Sequence, residues 1–214
     1  MVAGAIMSYT DPYLAAESPQ PHVPFHQEVT KFSFRQFGAF GLVTRLQADS
    51  LSVVPRRFLF FNIKSVNEVH LLNAHIETHM YAHDTDGTTL FPTGLGQSIG
   101  GGRGGKAGGQ YGEFGLITRV LVRGVTVELF EADRLALVLR ADEGYVDHKN
   151  KEPSFSHAVL KNPSATRRIV SERIIWDPRS RVFKIPGAYV VLTEKGESRG
   201  KGVKVDIDFT VSPL

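Results

Sequence analysis

Between Val203 and Val211 the chain alternates without a break. Val203, Val205, Ile207, Phe209 and Val211 take one parity, and Lys204, Asp206, Asp208 and Thr210 the other. Successive side chains of an extended strand point to opposite faces. The rhythm therefore sets one row on a core and the other in water, whereas a helix would scatter both around its circumference. Val125, Val127 and Leu129 repeat the device, and Glu131-Ala132-Asp133 reads as the turn of a hairpin into Leu135, Leu137 and Leu139. Further β-prone runs are Phe32 to Leu46, Phe58 to Val66, Glu68 to His83, Leu90-Phe91, Phe114 to Val122, Ile169 to Trp176 and Phe183 to Leu192. Glu194 to Gly202 reads as a turn, with Gly196, Gly200 and Gly202 as its flexible positions. About eight to ten short strands with no amphipathic helix predict an all-β domain over residues 31–214, a single jelly roll or β-sandwich. No internal repeat points to a propeller or solenoid.

A chain of 214 residues suits one large β domain whose core needs no staples. It has no cysteine, which excludes disulfides and cysteine-ligated zinc or iron–sulfur sites. The net charge of +3 is spread singly apart from Arg56-Arg57 and Arg167-Arg168, as on an ordinary solvated surface rather than a nucleic-acid patch. The longest apolar runs, Phe58 to Phe61 and Leu135 to Leu139, fall far short of the ~20 residues of a membrane helix. Met1 to Met7 is apolar but short for a signal peptide and lacks a preceding positive charge, so the expected place of folding is a cytosol.

Two segments stand apart from the strand pattern. Residues 1–30 are punctuated by Pro12, Pro19, Pro21 and Pro24, which fix φ and remove donors, so the stretch reads as an extended arm or a free tail. Half of residues 94–115 are glycine, including Gly100, Gly101, Gly102, Gly104 and Gly105 around Arg103, and they read as a long flexible loop fit for contact with a partner.

No complete catalytic motif is present. Gly100, Gly105 and Lys106 have phosphate-loop spacing, but Ala107 replaces the magnesium-holding hydroxyl and Gly108-Gly109 cannot open a helix. Asp84-Thr85-Asp86-Gly87 begins like a calcium loop but lacks its later ligands, and reads better as a hairpin turn. No Gly-x-Ser-x-Gly elbow occurs. On a strand, His75, Glu77, His79, Tyr81 and His83 share one face, and Ile76, Thr78, Met80 and Ala82 the other. That row is either the wet face of a strand or a set of nitrogen and oxygen ligands. In the second reading His75 and Glu77, with the distant His157, resemble the two-His-one-carboxylate site of iron(II)- and 2-oxoglutarate-dependent oxygenases. That resemblance implies iron as cofactor and Arg167 or Arg168 as the cosubstrate anchor.

Two further resemblances concern the fold. Phe183-Lys184-Ile185-Pro186-Gly187-Ala188-Tyr189 resembles the strand entry of C1q- and tumour-necrosis-factor-like jelly rolls, which implies a receptor- or glycan-binding module. The whole chain, with its proline-rich arm, many strands and glycine-rich loop, resembles viral jelly-roll coat and minor capsid proteins. The expectation drawn from it is a self-assembling structural subunit rather than an enzyme, partnered by its own copies and other virion proteins. It would be assembled in a host cytoplasm and need no cofactor. Because residues 1–30 hold no Lys or Arg, the arm is not expected to package nucleic acid.

Overall fold

Val125, Val127 and Leu129 do turn inward and are 0–3% exposed, and the chain reverses after them as the pattern predicts. Ala132 and Asp133 both take positive φ, 46° and 64°, the geometry of a two-residue hairpin turn whose twist matches the flanking strands. In the structure, a computed structural model, residues 27–38, 41–58, 61–81, 116–147, 152–164 and 166–214 are described. They form ten strands: β1 (Gln27–Gly38), β2 (Gly41–Phe58), β3 (Phe61–Met80), β4 (Leu116–Glu131), β5 (Arg134–Asp147), β6 (Ser154–Lys161), β7 (Arg168–Asp177), β8 (Val182–Thr193), β9 (Gly196–Val205) and β10 (Val211–Pro213). The described residues contain no helix, so the all-β, sandwich-type class expected from the sequence is the class observed.

All ten strands belong to one sheet, and strands adjacent in sequence are adjacent in space. Every neighbouring pair is antiparallel except β3 and β4, which run parallel. The sheet is not closed, because β1 and β10 do not pair. An isolated flat sheet would leave both faces wet. Here Leu46, Ile76, Val127, Leu137, Leu160, Ile169 and Ile185 on one face are all 0% exposed. The sheet must therefore roll over so that its inner face packs on itself.

The means of rolling is a crease that crosses the strands at one level. Strict alternation spaces buried residues by two, yet Ala48 and Leu51, Leu71 and Ala74, Val122 and Val125, Ala141 and Gly144, Phe155 and Ala158, and Ser171 and Ile174 are buried three apart. Two residues between each pair face outward. The flanking registers place Asp49, Asn73, Gly124, Asp142, His157 and Glu172 in single file across β2 to β7. Asn73, Gly124 and His157 have φ of 50°, 66° and 50°. The breaks interrupt the ladder locally and bend the sheet, and because they are aligned the register is kept across them from β2 to β7, while it shifts at β7–β8 and β8–β9. Pro186-Gly187, set apart in sequence as a strand-entry turn, lies inside β8 opposite Gly202, where the same line continues.

Several sequence expectations need correction. The alternation at Val203–Val211 is not one strand. After Val205 the Asp206 carboxylate accepts the Thr210 N–H at 2.7 Å and its carbonyl accepts the Phe209 N–H at 3.1 Å. Phe209 takes φ of 63°, and the chain reverses so that Val211 pairs with Val205. The rhythm misleads because the turn returns Phe209, 4% exposed, to the core side. Gly196–Gly202, read within a turn, belongs to β9, and the turn itself is Glu194-Lys195. Phe58 ends β2, the described parts of the two runs Phe58–Val66 and Glu68–His83 beyond it join in the single strand β3, and those of Phe114–Val122 and Val125–Phe130 join in β4. β6 escapes notice in the sequence because the crease at Ser156-His157 interrupts its alternation. β1 starts at Gln27, so the last four residues of the 1–30 span join the sheet. Pro12, Pro19, Pro21 and Pro24, and Gly100 to Gly105 with Arg103, lie outside the described residues.

Candidate functional site

An open sheet presents two edges, and both carry apolar side chains of the core. β1 pairs with β2 on one side, and no described strand pairs with the other. Its Phe32 and Phe34 pack against the core yet stay only half-buried, and Phe37 is 67% exposed. At the far end β10 covers β9 only at Val203–Val205, while Leu214 donates its N–H to the Gly202 carbonyl at 3.2 Å. Gly196–Lys201 of β9 has no described strand beyond it. Ile207 and Val211 are half-buried beside this edge. Unpaired N–H and C=O groups along an edge are a template for another strand.

The outer face of β3 follows the expected parity. Ile76, Thr78 and Met80 are buried, and His75, Glu77, His79 and Tyr81 face outward; His83 lies outside the described residues. Glu77 stands directly opposite Glu128, an unfavourable pairing of like charges. Arg45, opposite Glu77 on the other side, approaches it at 3.5 Å. His75 Nε2 lies 3.3 Å from Glu128 and 3.8 Å from Glu77. His79 stacks on Phe130 at 4.7 Å and lies 3.6 Å from Asp133. The row is thus tied laterally into the sheet as a ladder of charge and ring contacts.

The oxygenase-type set is not brought together. His157 sits on β6, three strands from His75 and Glu77, which is roughly 14 Å at ordinary strand spacing. Its ring lies 3.0 Å from Glu172 and 3.8 Å from Asp142. Arg167 lies over the Phe209 ring at 5.5 Å, and Arg168 opens β7 opposite Lys161. Among the described residues no three His, Asp or Glu side chains are placed to hold a metal ion, and no helix is long and apolar enough to cross a membrane.

One ion pair is set in a network of further hydrogen bonds. Burial alone would raise the Asp177 carboxyl, but hydrogen bonds from Lys184, Ser180 and the Arg179 and Ser180 backbone outweigh it and hold the group well below the usual carboxylate range. Lys184 Nζ lies 2.7 Å from Asp177 and 3.5 Å from Glu152, and the hydrogen bond to Asp177 raises its own pKa. The pair closes the β7–β8 turn and is structural.

Fold and edges together define an all-β protein built as one creased, open sheet of the sandwich type. The chain matches no protein-family model and no curated protein. The histidine row was legible in the sequence, whereas the edges were not, because an edge is a property of strand order. The local signals were Pro213, which lacks a donor, and the polar stretch Glu197–Lys201.

Proposed function

We propose that this protein is a structural subunit that self-associates by joining sheet edges. The observation that carries the reading is the open ten-stranded sheet, whose core-side aromatics Phe32 and Phe34 are left half-covered at β1. Pairing β1 of one copy with the Gly196–Lys201 edge of the next would extend the sheet and cover those side chains. Because the two edges differ, the contact is heterologous and repeats from copy to copy. Setting that assembly in a virion rests on the sequence resemblance to coat proteins alone.

The absence of native cysteine gives a clean test. Ser33→Cys and Ser198→Cys proteins are mixed and oxidised, each is also oxidised alone, and the unmodified chain is sized by light scattering over a concentration series. Disulfide-linked pairs in the mixture, with mass rising with concentration, are expected. A strict monomer at every concentration, with no cross-link in the mixture, would overturn the reading. Cross-linking confined to Ser33→Cys alone would replace it with an isologous β1–β1 dimer.

A further inference from the structure

The single file of outward crease residues has one gap. Asp49, Asn73, Asp142, His157 and Glu172 carry side chains, and Gly124, between Asn73 and Asp142, does not. The gap opens as a depression of about 380 Å³ whose polar lining is Asn73, His75, Thr126 and Arg140. His75, Thr126 and Arg140 stand directly opposite one another on β3, β4 and β5. The walls are fixed in advance. Gly124 has φ of +66°, and a Cβ there would meet Asn73 Oδ1 at 2.6 Å. Asn73 is held in place by its amide, which donates to Asp49 at 2.8 Å.

The charges in and around this depression are unequally satisfied. Glu77 is engaged by Arg45 and His75, and Glu128 by His75. Arg140 is exposed and has no carboxylate within ion-pair reach among the described residues, and the Thr126 hydroxyl beside it has no hydrogen-bond partner among them either. A guanidinium presents a planar fork of donors that matches an oxyanion, and a neighbouring hydroxyl adds one more.

We propose that the depression at Gly124 binds a small oxyanion, with Arg140 as its charged anchor and Thr126 as a second donor. The site lies on the outer face, away from both sheet edges, and is independent of self-association. The test uses the full isotope-labelled chain. Backbone amide shifts are followed by NMR while inorganic phosphate, or acetate, is added at constant ionic strength set with chloride. Saturable shifts centred on Asn73, Gly124 and Thr126 are expected. The affinity should fall roughly ten- to a hundredfold in Arg140→Ala, the loss of a charge-assisted hydrogen-bond pair. Arg140→Lys, which keeps the charge and loses the fork, should fall between. Preference for phosphate over acetate would assign the site to phosphate groups, and the reverse preference to carboxylates. Shifts spread evenly over the surface, or unchanged in Arg140→Ala, would overturn the proposal.

Discussion

Gly124→Ala tests whether the crease is enforced where the aligned breaks say it is. Three effects decide the outcome. A side chain at φ of +66° enters the left-handed region, at a cost of roughly 1–2 kcal/mol. The new Cβ would sit 2.6 Å from Asn73 Oδ1, displacing an amide that bonds Asp49 at 2.8 Å, and losing that bond removes about 1 kcal/mol. Against these, alanine restricts the unfolded chain and returns roughly 0.4–1 kcal/mol. The net expectation is a loss of about 2 kcal/mol, visible as a fall of about 1 M in the urea midpoint with an unchanged slope. Gly187→Ala is the control. A Cβ there meets nothing within 4 Å and no positive φ applies, so the change should be neutral or slightly stabilising. The two positions share the crease but differ in backbone handedness and free space. In an Asn73→Ala background the penalty at Gly124 should shrink, because the clash is gone and only the backbone cost remains. Equal stabilities for Gly124→Ala and Gly187→Ala would refute the reasoning.

Asp177→Asn should cost roughly 1–3 kcal/mol near neutral pH, since it leaves the partly buried Lys184 without its closest carboxylate. The folded carboxyl lies below its unfolded value, so its contribution is complete above about pH 4 and drains away on acidification, and the gap between the two proteins should close there. The raised Lys184 acts in the opposite sense: its contribution is complete below about pH 10 and lost above it. Denaturation midpoints taken across pH check both arms, and a gap constant down to pH 2 would count against the first. Asp206→Ala should cost about 0.5–2 kcal/mol by removing the acceptor that closes the last turn at 2.7 Å, with faster hydrogen exchange at Thr210 as its local signature.

The class of the fold was written in the two-residue rhythm, and the sites where that rhythm misled share one cause. Alternation reports which side of a strand a residue occupies, not whether the strand is straight. At Arg123-Gly124 it breaks while β4 continues, because Gly124 bends the strand without ending it. At Asp206–Thr210 the rhythm continues while the strand ends, because a capped turn brings Phe209 round to the core. His75 and Glu77 were correctly placed on one outward face, since parity alone decides that. Their distance from His157 was not readable, because it depends on how many strands intervene, a non-local quantity.

The crease also explains why the sheet stays open. A strand bent at its middle places segments on both sides of the interior, so a sheet of such strands encloses a core by rolling over, without the tilt and shear that barrel closure demands. Closure would require the terminal strands to pair, yet β1 has 12 residues and β10 three, one of them Pro213, which lacks a donor. Most of β1 would remain unmatched even if the two met. Among the described strands none completes the cover over Phe32 and Phe34, and in the proposed assembly that strand comes from a second copy. In that proposal the mismatch in strand length favours propagation over closure.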